Sequence, residues 1–140
     1  MHTTVERLRD AINAHSPSAM TELLAPEYVS EQPAHPNRGF SGRDQVDKNW
    51  SLLFTGVPDL KVEVSAAVDD GTTSFSEWEF LGHYGDGSVF HERGIMLLRL
   101  RDDLIASARM YFEEVEEDGA DIDETMRQSA RVDAASEPGS

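Results

Sequence analysis

The chain of 140 residues contains no cysteine, which removes disulfides, thiol nucleophiles and thiolate metal sites from consideration. It is short of basic residues: 12 lysines and arginines stand against 27 aspartates and glutamates, for a net charge of −15. A polyanion is repelled by such a field, so nucleic acid is not an expected partner. No apolar run approaches the roughly 20 residues that cross a bilayer. The opening "MHTTVERLRD" also lacks the basic-then-apolar pattern of a secretion signal. The expectation is a cytoplasmic protein that makes no use of a membrane.

What is present fits about one domain, long enough to bury a single core. The negative charge is concentrated toward the C-terminus, where "RVDAASEPGS" has little to bury and reads as a mobile tail. "IDETMRQSA" before it reads as a short helix. We therefore expect a folded domain over 1–117 and an acidic tail over 118–140. Thr3 with Glu6 forms a capping box, and Val5, Leu8 and Ile12 follow at helical spacing. Ser16-Pro17 reads as a cap and first helical residue, with Met20, Leu23 and Leu24 as an apolar stripe. "PAHPNRGFSG" is a loop by composition. A third helix from about Ser41 places Val46, Trp50, Leu53 and Phe54 on one face and ends at Gly56 and Pro58. Strands are expected over about 60–68, 73–84, 88–101 and 104–116. Helices followed by an antiparallel meander give an α+β fold, with three N-terminal helices against one face of the sheet.

The acid-rich hairpin "EWEFLGHYGDGSVFHERG", residues 77–94, is the most informative stretch. Residues of one parity share a face of a strand. A two-residue turn at Asp86-Gly87 pairs Glu77 with Met96, Glu79 with Gly94 and Leu81 with Glu92. That sets Glu77, Glu79 and Glu92 on one face and Trp78, Phe80, His91 and Arg93 on the other. In the last strand the even residues, Ala106 to Phe112, are the more apolar set and should face the core. A three-residue loop at Asp102-Asp103 then puts Met96 opposite Ala108, and the glutamates point inward beside Met96 and Met110. A two-residue turn would bring in Arg109, Tyr111 and Glu113 instead. The hydrophobic pattern favours the first register.

The order of elements resembles the nuclear transport factor 2-like superfamily, and within it the SnoaL-like branch of polyketide cyclases, ketosteroid isomerases and limonene epoxide hydrolases. The resemblance spans about residues 4–117. It is carried by "LLAPEYVSEQPAHP" leading into "FSGRDQVDKNW", then "GVPDLKVEV", "SEWEFLGHYGDGSVF" and "RMYFEEVE". It implies a strongly curved, cone-shaped sheet closed by helices around a deep apolar pocket, with dimers formed through the outer sheet surface. It also locates the family's working positions. The epoxide hydrolase aspartates match Glu79 and Met110, its arginine Glu77, and its water-positioning pair Ser30 and Gln32. The isomerase base falls at Gln32, and the cyclase acid and its histidine partner at Met110 and Met96. Of the acidic and basic groups in these constellations, only Glu79 keeps its chemistry.

Two functions are compatible with these residues. One is a cofactor-independent cyclase, isomerase or hydratase/hydrolase acting on an apolar polyketide-, steroid- or terpenoid-like molecule. Glu79 and Glu77 would supply acid–base chemistry from a desolvated setting. Gln32 and Ser30 would orient an oxygen or a water, with His35 at the rim. Trp50, Leu53, Leu81, Glu92, Met96, Met110 and Phe112 would enclose the substrate. The other is a non-catalytic ligand-binding or dimeric accessory protein, whose glutamates simply reach water. On either reading Trp78, Phe80, Arg93, Arg109 and Tyr111 would form an outer patch for a homodimer. His83 and His91, nearly opposite each other beside Glu92, lack a third ligand at suitable spacing, and no metal is expected.

Overall fold

A computed structural model describes residues 3–132. The capping box forms as expected: Thr3 accepts from the Glu6 amide at 3.1 Å, and the Glu6 carboxylate accepts from the Thr3 amide. It opens α1 (Thr4–Asn13), which buries Val5, Leu8, Ala11 and Ile12. Ser16 caps α2 (Pro17–Thr21), accepting from the Ala19 amide. After β1 (Leu24–Glu31), a 3-10 turn (Pro36–Arg38) and β2 (Phe40–Ser41) comes α3 (Arg43–Gly56). Four long strands follow, β3 (Lys61–Asp69), β4 (Thr73–His83), β5 (Val89–Arg101) and β6 (Leu104–Glu114), and then α4 (Ile122–Ala130). The short helix expected at "IDETMRQSA" is thus present. The expected mobile tail lies, from residue 133 onward, outside the described residues.

The six strands form one open sheet in the order β2-β1-β6-β5-β4-β3. The expected meander is its larger part, but the sheet is mixed, because β1 runs parallel to β6. The sequence reading assigned Leu24 to a second helix and overlooked β1. Pro26 interrupts the run, and the residues that alternate inward, Tyr28 and Ser30, include a hydroxyl, so a hydrophobic period of two is hard to see. Two side chains tie helices to sheet. Arg43 donates to the Leu24 carbonyl through Nε at 3.0 Å, fixing the start of α3 on β1. Asn13 at the end of α1 exchanges two hydrogen bonds with the backbone of Val62 on edge strand β3.

Turn geometry decides which side chains face the helices. The β4–β5 hairpin closes with Gly85, Asp86 and Gly87 between Tyr84 and Ser88, and Gly87 takes a φ of 87°. This is one residue longer than the turn expected from sequence. Phe80 therefore pairs with Glu92, Trp78 with Gly94 and Glu79 with Arg93. A one-residue change inverts the faces: Trp78 and Phe80 are buried inside, whereas Glu77, Glu79 and Leu81 lie outside with Arg93 and Ile95.

At the β5–β6 hairpin Asp102 and Asp103 both have positive φ, 54° and 65°, as a two-residue turn of type I′ requires. That turn alone would bring Arg109 and Tyr111 inward. A bulge at Ala106, between the pairs Leu100–Ile105 and Arg99–Ser107, adds the compensating residue. Met96 consequently faces Met110 rather than Ala108, and the even residues of β6 face the core.

Candidate functional site

The inner face of the sheet and helices α1, α2 and α3 enclose a cavity of about 290 Å³. Helix α3 presents Val46, Asn49, Trp50 and Leu53 to it, at i, i+3, i+4 and i+7 spacing. Strand β1 and the residue after it contribute Tyr28, Ser30 and Gln32 at period two. The long strands add Phe80, Phe90, Glu92, Met96, Met110 and Phe112. Tilted rings link α3 to the sheet, with centroids 5.9 Å apart for Trp50–Phe80 and 5.0 Å for Phe80–Phe112.

Of the residues assigned to substrate from sequence, the cavity brings together Ser30, Gln32, Trp50, Leu53, Glu92, Met96, Met110 and Phe112. It excludes Glu77, Glu79, Leu81 and His35. Leu81 is exposed on the outer face, a consequence of the longer hairpin loop. His35 precedes the 3-10 turn and borders a second, open groove of about 740 Å³ on the outer face, with Glu77, Glu79, Arg93, Tyr111 and Glu113. Tyr28 and Asn49 were missed. The alternation Tyr28, Ser30, Gln32 and the spacing of Asn49 from Val46 and Leu53 were the available signals.

Glu92 on the inner face and Glu79 on the outer face are shifted in opposite directions. Glu92 is half-buried on the inner face, directly across from Glu114 on β6. Burial is the main cause that pushes its carboxyl above the ordinary value, and the Glu114 charge adds to it, while Arg38 pulls the other way. Glu92 is the one charged side chain among the residues lining the cavity. Burial likewise raises the Tyr28 phenol, with the Ser30 hydroxyl opposing it.

On the outer face a single oxygen of Glu79 meets His91 Nε2 at 2.9 Å and accepts from Arg93 Nε at 2.7 Å. These hydrogen bonds, His91 first, hold Glu79 below the usual carboxylate range. Glu77 accepts from the Ser65 hydroxyl at 2.5 Å. His83 pairs with Asp59, its ring nitrogen 2.7 Å from the carboxylate, and that contact lowers Asp59. The polar cavity mouth carries one further link, Arg38 donating to the Gln32 side chain at 3.2 Å.

Several solved structures share this arrangement of elements. A protein with a ketosteroid isomerase-like fold from Catenulispora acidiphila, in complex with trimethylamine, superposes with a TM-score of 0.69 at 22% identity, over 79% of this chain and 86% of that one. IdmH from Streptomyces antibioticus, a candidate polyketide cyclase, gives 0.68 at 20% identity, over 79% and 89%. A candidate SnoaL-like polyketide cyclase from Jannaschia sp. gives 0.66 at 21% identity, over 89% and 87%. No curated protein matches the chain significantly in sequence. The model of the SnoaL-like domain family matches residues 5–108, most of the folded part, and the chain belongs to that family.

Proposed function

We propose that the chain is a cofactor-independent enzyme that moves protons on a compact apolar substrate, a reaction of the cyclase, isomerase or hydratase/hydrolase type, with Glu92 as the acid–base group. The observation that carries this reading is the position of Glu92, a lone carboxylate on an apolar, aromatic-lined cavity. A carboxyl raised toward neutrality is a better proton acceptor than an ordinary one, and can return the proton in a later step. The Tyr28 phenol, kept protonated by burial, and the Ser30 hydroxyl supply donors for a substrate oxygen that gains negative charge. Gln32 and Asn49 complete the polar positions of the wall. In this reading Glu79 and Glu77 take no part, because they lie on the other side of the sheet. The volume is near the lower limit of small-molecule sites, about 300–1,000 Å³, and so favours one or two rings over an extended polycycle. The small-ligand complex of the Catenulispora protein is consistent with a ligand-holding cavity in this fold.

A homodimer through the outer sheet face belongs to the same proposal. Its support is now Ile95, Tyr111 and Phe75, all exposed on that face, beside Arg93 and Arg109. Trp78 and Phe80 no longer contribute.

The test is a two-dimensional NMR titration with polyketides, small steroids, terpenes and epoxides, following protein and ligand signals over hours. Shifts at Trp50, Glu92, Met96 and Met110, with new ligand signals that disappear in Glu92→Gln, are expected. Shifts without new signals would instead support the non-catalytic binder, and no shifts would remove the cavity as the working site.

A further inference from the structure

The cavity's charge and its aromatic content point to a particular substrate class. Six aromatic residues line it, Tyr28, Phe40, Trp50, Phe80, Phe90 and Phe112. No lysine, arginine or histidine does so, and Glu92 is the single carboxylate among the lining residues. An ionised carboxylate beside an apolar wall is costly unless it is paired or hydrogen-bonded. Among the described residues none makes a hydrogen bond or ion pair with the Glu92 carboxylate. The groups that face it are Glu114 across the strand pair and Arg38 from the 3-10 turn, and Arg38 is exposed and donates to Gln32. The chain as a whole carries a net charge of −15, a field that attracts cations and repels anions.

We propose that the cavity takes a substrate bearing a cationic amine, with the ammonium set against the rings of Trp50, Phe80 and Phe112 and with Glu92 as its counterion. Ring quadrupoles attract a weakly hydrated ammonium, most strongly at tryptophan and where water is excluded. A tertiary or quaternary ammonium suits the site best, since its methyl groups also satisfy the apolar walls. The inference rests on the reading of the cavity as a small-molecule site. A bound cation also draws the Glu92 carboxyl back toward its ordinary range, so the carboxylate is ionised once the substrate is in place, at the cost of some basicity.

Choline and its neutral isostere 3,3-dimethylbutan-1-ol test the proposal directly, because they match in shape and differ in charge. Each is titrated into the isotopically labelled protein while the Trp50 indole and the amides of Glu92 and Phe112 are followed. Choline is expected to bind about ten-fold tighter than the isostere, with shifts confined to the cavity. Glu92→Gln should remove most of that preference while leaving the isostere's affinity unchanged. Phe112→Leu, a milder change than replacing Trp50, should weaken choline selectively. Equal or stronger binding of the isostere overturns the amine proposal and leaves the small-molecule cavity standing. Choline shifts limited to the outer-face glutamates also overturn it. Binding of neither compound, together with silence toward the apolar panel above, overturns both readings.

Discussion

Phe80 lies directly across from Glu92 on neighbouring strands, and both side chains face the cavity. The ring takes water away from the carboxylate, and Glu114 on the other flanking strand adds a like charge. Both raise the cost of ionising Glu92. Glu92→Gln should lower turnover by about 10²–10⁴-fold, the usual contribution of a general acid or base. Its effect on stability should have the opposite sign. A carboxyl whose folded pKa exceeds its unfolded one binds protons more tightly in the native state. Native stability therefore declines as pH rises from the ordinary value, about 4.3 for Glu, through the raised one. The amide variant lacks that penalty. It should melt above the parent at pH 7 and together with it below about pH 4; a variant that melts lower at neutral pH would sink the argument.

Glu79 predicts the reverse pattern. Its oxygen is shared by His91 and Arg93 on the outer face, which keeps it ionised. Glu79→Gln should leave turnover within a few-fold of the parent. Its stability deficit should be fully present above the ordinary Glu pKa and fade as pH falls through the depressed folded value. Parallel thermal melts and activity profiles from acid to neutral pH distinguish the two glutamates. A collapse of turnover in this variant would return catalysis to the outer groove.

The contrast between these glutamates shows where the sequence was legible. Capping boxes, helix stripes and strand spacing are local, so α1, α3 and the four long strands could be read directly. Facing depends on turn length, and turn length depended on whether Gly87 or the Asp86-Gly87 pair supplied the left-handed residue. One residue there moved Glu77, Glu79 and Leu81 out of the site, brought Phe80 into it and buried Trp78 in the core. At the other hairpin the turn is also not the one expected, yet the parity survives, because the Ala106 bulge restores it. A bulge has no strong local signature, so agreement there owed more to the apolar even residues of β6 than to the turn. Ser30 and Gln32 were reached through the family resemblance, but the strand that carries them with Tyr28 was hidden for a different reason: a strand that lines a cavity with polar groups lacks the hydrophobic alternation by which strands are recognised.

Gly94 gives a prediction about packing. It sits opposite Phe112 in the middle of the sheet. A Cβ at this position would run into the Tyr111 carbonyl and lie 2.7 Å from the Phe112 Cα. Backbone cannot give way as a flexible side chain can. Gly94→Ala should lower unfolding free energy by about 1–3 kcal/mol, the usual cost of overpacking, and shift the Phe112 ring that borders the cavity. Urea denaturation measures the first and the NMR signals of Phe112 the second. A neutral change would mean that β5 and β6 separate more easily than their pairing implies.

The row Glu77, Ile95, Tyr111 crosses the outer face from β4 to β6, and the row Glu79, Arg93, Glu113 runs beside it. Ile95 is 38% and Tyr111 46% exposed, so the single chain leaves an apolar strip flanked by charges of both signs. A two-fold axis through that strip would bury the apolar residues against their own copies and set Arg93 near the partner's acidic rows, the self-complementarity an isologous contact needs. An interface of standard size buries about 800 Å² on each side, within reach of a face built from four long strands. Sedimentation equilibrium at micromolar concentration should give twice the 15.6 kDa of the chain. Tyr111→Glu should shift the equilibrium toward the single chain without changing ligand binding in the cavity, since Tyr111 points away from it. A parent protein that sediments at the monomer mass removes the dimer, and an unchanged dimer in Tyr111→Glu moves its interface off this face.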